Sequence, residues 1–309
     1  MTATAWWRDF EVRDGAMRVR KTGVTLPLGP GLAAEFLNWL IYHLRIEAAR
    51  RDVRADGPRV WFAPDRPRPW YLVWPVVQLA GLRLADSPAD ADLAFFFEDA
   101  TTGAPPEPAG LRVLNGGCGD VSKSHVAAVF ESVSGRRLAL DPGRARGPVV
   151  EKSEINGAHD GRIVTAPLAP RPERVYQRLV DAVADDGCVE DLRCPTIGGE
   201  IPLVFMKRRP AERRFENANT EVRLLETQAV FSPDEIAFLK RFLAAMRLDW
   251  GGVDVLRDRR DGALWIVDVN KTDMGPPIAL PLRDKMTATR RLARALRGYA
   301  DRLAAGDSA

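Results

Sequence analysis

The sequence predicts an α+β protein in which a small N-terminal α/β layer precedes two further α+β units. Over the first hundred or so residues, short apolar runs alternate with helical patterns, as strand-and-helix layers do. Beyond about residue 110, paired runs flank Gly- and Asn-containing turns, the pattern of antiparallel hairpins. An amphipathic stretch from Arg283 to Ala304 then closes the chain. A chain of 309 residues exceeds the usual single-domain size. Divisions at 1–110, 111–174 and 175–309 are expected.

The elements follow in order. Residues 31 to 51 carry Phe36, Leu37, Leu40, Ile41, Leu44 and Ala48 at helical spacing, with Pro30 and Gly31 at the start. A short strand at 58–63, a helix at 71–82 and a buried strand across Asp92 to Glu98 come next. The Pro-, Gly- and Thr-rich stretch from Asp99 to Gly110 reads as a linker or exposed loop. After a strand at 111–114 and the NGGCGD loop, a helix runs from Ser122 to Val133 and stops at Gly135. Residues 149–154 and 162–165 pair around a polar turn that carries His159, a loop residue. Residues 175–184 form a helix or strand, and 189–195 with 200–207 flank the Ile197-Gly-Gly199 turn. Ser232 with Pro233 opens a helix to about Arg247. The last strands are 252–257 and 264–270. In the terminal helix, Leu292, Leu296, Tyr299 and Leu303 share one face.

Composition narrows the function classes. A hydrophobic fraction of 46% beside 28% charged residues suits a packed globular chain and excludes a disordered one. The excess of 45 basic over 42 acidic residues, net +3, does not demand nucleic acid, and none is expected as a partner. Cys118, Cys188 and Cys194 form no CxxC pair, so neither zinc nor a disulfide framework is expected, and a cytoplasmic location is. The most apolar stretch, Trp70 to Leu82, is too short for a bilayer and contains Pro75, so no membrane partner is expected. Trp6, Trp7 and Phe10 suit core packing better than a site or an oligomer contact. The oligomeric state is not written in the sequence.

The sharpest chemical feature is the hairpin around Asp254, Asp268 and Asn270. Side chains alternate along a strand, so Asp268 and Asn270 project together. A three-residue loop, Arg260-Asp261-Gly262, sets Asp254 opposite Asp268, with Gly262 in the left-handed conformation of a bulge. A two-residue Asp261-Gly262 turn would send the carboxylates to opposite faces; the three-residue loop is preferred. Opposed carboxylates repel by roughly 0.2–1 kcal/mol when exposed, unless a cation joins them. Two carboxylates and an amide oxygen are hard donors suited to Mg²⁺ or Mn²⁺.

This segment resembles the C-terminal end of the ATP-grasp superfamily, in which Asp on one strand and Glu-x-Asn on the next hold magnesium. The corresponding residues are Asp254, Asp268 and Asn270, with Asp268 one methylene shorter than the usual Glu. The stretch Thr272 to Pro277 stands where the family has a Ser/Thr-Pro-Gly turn. The resemblance reaches back to about residue 111. Lys123 and Lys152 look like the family's two phosphate-binding lysines, separated by a helix and a strand after Gly135. Asn156 to Gly161 corresponds to its flexible loop. Val175 to Val180 resembles the hinge strand that recognises adenine, which implies nucleotide contacts from Gln177, Arg178 and Leu179, with Gln177 in place of the usual Glu. Asp191-Leu-Arg193 and Lys207-Arg-Arg209 resemble segments of the ribosomal-protein glutamate ligases, and D-alanyl-D-alanine ligases are further relatives. The resemblance implies that Arg193, Arg208, Arg214 and Asn217 neutralise the γ-phosphate and a substrate carboxylate.

What the family implies is an ATP-grasp-like fold of two subdomains and an ATP-dependent carboxylate–amine ligase working through an acyl phosphate. Its cofactors are ATP with Mg²⁺ or Mn²⁺, and its substrates a small-molecule or peptide carboxylate and an amine. The same site serves a phosphotransferase or a non-catalytic nucleotide-binding protein as alternatives. Gly117 to Ser124 lies one residue from a P-loop, which would require a parallel sheet to follow. Cys118 is better read as a buried thiol than as a nucleophile.

Overall fold

In the computed structural model, which describes residues 10–19, 25–216 and 218–306, the described residues build four sheets. β1 (Phe10–Arg13), β2 (Ala16–Val19) and β3 (Thr25–Pro27) form an antiparallel meander that the sequence reading did not anticipate. Its signal was present: Asp14 and Gly15 both take positive φ, 51° and 72°, as a tight hairpin turn requires. Phe10 packs edge-on against Trp70, with centroids 5.1 Å apart. Trp6 and Trp7 lie outside the described residues.

α1 (Pro30–Arg50) starts on its proline. The face it buries differs from the stripe that betrayed the helix. Tyr42 and Ile46 pack against Met286, whereas Phe36, Leu37, Leu40, Ile41 and Leu44 are 37–61% exposed. β4 (Arg59–Pro64), α2 (Val73–Leu79), β5 (Arg83–Leu84), β6 (Leu93–Phe97) and β7 (Val113–Leu114) follow. The strands form a parallel sheet in the order β5-β4-β6-β7. Every residue of β6 is buried, because elements cover both faces. Since β7 completes this sheet, the N-terminal layer extends past residue 110.

α3 (Lys123–Ser134) is capped by Ser122, whose hydroxyl accepts the His125 N–H, and ends at Gly135 with φ 69°. The strand expected after Gly135 is reduced to a bridge between Ala139 and Gln177. β8 (Gly147–Ser153), β9 (Arg162–Ala166) and β10 (Arg174–Arg178) make an antiparallel sheet ordered β10-β8-β9.

β11 (Cys188–Ile197), β12 (Val204–Pro210), β13 (Glu221–Leu225), α4 (Thr227–Val230), α5 (Pro233–Met246), β14 (Trp250–Arg257), β15 (Leu264–Asn270) and α6 (Leu282–Ala304) complete the chain. The five strands are antiparallel, in the order β13-β12-β11-β14-β15. α5 opens on a full capping box of Ser232 and Glu235. α3 and α5 cover one face of this sheet, where Phe130, Leu239 and Phe242 meet Val253, Val255 and Ile266. α6 packs elsewhere: Leu292, Leu296 and Tyr299 share a core with Val60 of β4, Phe95 of β6 and Phe205 of β12, so the terminal helix joins the N-terminal layer to the other face of the five-stranded sheet. Among the described residues no helix is long and apolar enough to cross a membrane.

Candidate functional site

The hairpin of β14 and β15 sets Asp254 opposite Asp268 and Gly252 opposite Asn270. The register expected from the sequence is present, but its cause is different. Leu264 pairs with Arg257, and the Asp258 N–H donates to Ala263, so the loop is four residues long. That register alone would set Asp254 against Val267. The register then shifts between Asp254 and Val255, and the extra residue on β15 brings Asp268 across. Gly262 does take the left-handed conformation, φ 73°.

Alternation decides which side chains join the carboxylates. Leu192, Cys194, Val253 and Val255 face α5, so Asp191, Arg193 and Asp254 face the other way. Lys207 pairs across from Asp191 and shares its face. The Lys207 ammonium lies 2.9 Å from Asp191 Oδ2 and 3.0 Å from Asp254 Oδ1. Arg193 Nη1 reaches Asp254 Oδ2 at 3.1 Å, while its Nη2 and Nε grip Asp273 at 2.7 and 3.3 Å. Burial works against each of these charges, and the opposite charges overcome it. Arg193 is held well above its ordinary value by Asp254 and Asp273, Lys207 is raised by Asp191 and Asp254, and Asp254 is held low by Arg193 and Lys207.

The small sheet and α3 supply the facing side. Lys123, in the first turn of α3, is buried and donates to Asp268 and, at 3.3 Å, to Asn156 Oδ1 in the loop after β8. Lys152 on β8 reaches the Val267 carbonyl at 3.4 Å. Burial pushes its ammonium down to about 8, with Asp268 pulling the other way. Gln177 pairs with Val150 and so shares the face of Lys152; it is buried, and its Nε2 has no hydrogen-bond partner. Arg178 is exposed over the Trp265 ring, 5.0 Å from its centroid, and Leu179 follows, half-buried. On the sheet's back, Glu151 is anchored by Arg162, Arg171 and Tyr176.

The remaining sequence candidates separate. Arg208 stands on the opposite face of β12 from Lys207, bound to Asp186, Glu190 and Glu221, and is not brought to the carboxylates. Arg214 is half-buried after β12, with Nη2 on the Val180 carbonyl at 3.1 Å, and burial lowers its pKa. Asn217 lies outside the described residues. Gly161 shows how close the two sheets' loops come: a Cβ there would meet the Phe215 ring at 2.6 Å. The sequence reading missed Lys207 as a site residue, although period two in Lys207-Arg-Arg209 contains the signal. It also missed Asp99, which no local pattern marks, and took Thr272 and Asp273 only as part of the turn after β15. Cys118 is buried, and desolvation pushes its thiol up to about 12, unsuited to a nucleophile.

The donor set fits a hard divalent cation and a nucleotide. Among the described residues no three His, Cys, Asp or Glu side chains converge as a metal site. What converges is two carboxylates and one amide, all oxygen donors, on one face. The orphaned Gln177 amide on the facing sheet is a group that a purine edge would satisfy.

No family model matches the chain, and no curated protein matches it. Solved structures do. The chain is similar to the ATP-grasp ligase PsnB complexed with minimal precursor, at 14% identity and TM-score 0.52, covering 79% of this chain and 99% of that one. It is also similar to D-alanine–D-alanine ligase from Bacillus anthracis complexed with ATP (13% identity, TM-score 0.48, 82% and 100% covered). A RimK-domain ATP-grasp protein from Sphaerobacter thermophilus matches at 15% identity and TM-score 0.47, with 78% and 99% covered. The fold is ATP-grasp-like: two α+β subdomains preceded by a small α/β layer.

Proposed function

We propose that the protein is an ATP-dependent ligase that joins a carboxylate to an amine through an acyl phosphate. One observation carries this reading: Lys123 reaches Asp268 and Lys152 the adjacent Val267 carbonyl, on the strand whose Asp268 opposes Asp254 and which ends in Asn270, between two sheets of an ATP-grasp-like fold. ATP would lie between those sheets, its phosphates against Lys123 and Lys152 and its base near Gln177, Arg178 and Leu179. Asp254, Asp268 and Asn270 would hold Mg²⁺ or Mn²⁺, which supplies charge neutralisation at the phosphate oxygens. Lys207 and Arg193 fix the carboxylate of Asp254 in place, and neutralising the transferred group would fall to Arg214 and Asn217. Arg208, tied up on the far face, takes no part.

In the first step a substrate carboxylate oxygen attacks the γ-phosphorus and ADP leaves. The amine nitrogen then attacks the acyl carbon, expels phosphate and gives up a proton. Neither step needs a nucleophilic side chain, so positioning and preorganised charge are the protein's contribution. PsnB has been solved with a precursor variant, Mg and ADP, which supports nucleotide, magnesium and a peptide or small-molecule carboxylate as the ligand classes here.

Calorimetric titration of ATP with Mg²⁺ tests the reading. Saturable binding to the wild type, lost in a folded Asp254→Asn/Asp268→Asn variant, is the expected result; no binding to the wild type overturns it. Amine-dependent ADP release yielding phosphate and an amide then separates ligation from phosphotransfer, which yields a phosphoester.

A further inference from the structure

Asn270 must present its amide oxygen to a cation, yet two donors from Thr272 already surround that oxygen. The Thr272 N–H takes one lone pair at 2.8 Å. The Thr272 hydroxyl lies 3.2 Å from the same Oδ1 and 3.0 Å from Asp99 Oδ1. Thr272 is 2% exposed, so its single hydroxyl proton has no solvent alternative and goes to one of these two acceptors. Asp99 is the closer and the charged one, and a carboxylate is the stronger acceptor. It is itself held by the Tyr71 hydroxyl, 2.5 Å from Oδ2.

We propose that Asp99 is a positioning residue for the metal site: by taking the Thr272 proton it keeps the second lone pair of Asn270 Oδ1 open to the divalent cation. This rests on the ligand set proposed above. Asp99 lies just after β6 and Tyr71 just before α2, so the N-terminal layer governs a ligand at the end of β15. The same layer grips the following residues, with the Leu72 N–H on the Asp273 carbonyl at 2.8 Å and the Gly275 N–H on the Trp70 carbonyl at 3.2 Å. Without Asp99 the Thr272 proton turns to Asn270 and occupies the position the cation needs.

A double-mutant cycle tests this by electron paramagnetic resonance of free Mn²⁺ in the presence of a non-hydrolysable ATP analogue, with every variant checked as folded. Asp99→Ala should weaken Mn²⁺ binding by about tenfold or more, the range for removed outer-shell partners. Thr272→Val removes the competing proton and keeps the N–H, so it should bind as the wild type does. The decisive variant is Asp99→Ala/Thr272→Val, which should regain the affinity of Thr272→Val to within about twofold. If loss of Asp99 merely loosens the structure, the double variant stays as weak as Asp99→Ala, and the proposal falls. Wild-type affinity in Asp99→Ala also overturns it while leaving the ligand set standing. Failure of the wild type to bind Mn²⁺ overturns the ligand set and this proposal together. Should Asp99→Ala not fold, Asp99→Ser, too short to reach Thr272, takes its place in the cycle.

Discussion

Replacing Arg193 by Met tests whether the row of charges between the sheets is structural as well as chemical. The guanidinium joins Asp273 through two bonds, at 2.7 and 3.3 Å, and Asp254 through one at 3.1 Å. The three side chains are 10%, 9% and 17% exposed, so water compensates little. Removing one member of a buried pair costs about 3–5 kcal/mol, because the partner's charge is left uncompensated. Asp254 retains Lys207, whereas Asp273 loses its only ion-pair partner among the described residues. The lower half of that range is therefore expected in urea denaturation at neutral pH. The sign with pH follows from Asp254, whose folded pKa is held down by Arg193 and Lys207 against burial. A depressed carboxylate contributes stability above its unfolded value, about 3.9, and loses it as pH falls toward the folded value. The gap between wild type and variant should accordingly be widest near neutrality and narrow in acid. A loss below about 1 kcal/mol, the scale of exposed ion pairs, or a gap indifferent to pH, would refute the reasoning. Arg208→Met, on the other face, should cost much less, since its partners are exposed.

Two further outcomes are expected. Burial lowers the Lys152 ammonium to about 8, so between there and about 10.4 this lysine holds a proton in the unfolded chain that it lacks in the native one, and its own contribution to stability should rise with pH through that window. In urea denaturation the stability of the wild type relative to Lys152→Met should therefore rise across it, and Lys152→Met should also abolish a weakening of ATP affinity above about pH 8 measured by calorimetry. At Gly252 a Cβ would lie 2.6 Å from both Arg193 Nε and Asp273 Oδ2; Gly252→Ala should cost about 1–3 kcal/mol by displacing that pair, read from its denaturation midpoint.

By itself the sequence determined whatever depends on neighbours along the chain. Ser232 with Glu235 and Pro233 set the start of α5, and Gly135 set the end of α3, because caps satisfy backbone groups within a few residues. Alternation in β15 put Asp268 and Asn270 together, and the same rule, applied to β12, would have chosen Lys207 over Arg208. Only the tertiary structure decided the rest. Helical spacing identified α1 but not its buried side, which depends on where α6 lies. The opposition of Asp254 and Asp268 follows from a shift in pairing beyond a longer loop than turn chemistry suggested. Lys123 meets Asp268 across 145 residues, and Thr272 meets Asp99 across 173. Contacts of that separation leave no periodic trace, because they are fixed by how whole layers pack and not by the conformation of any one segment.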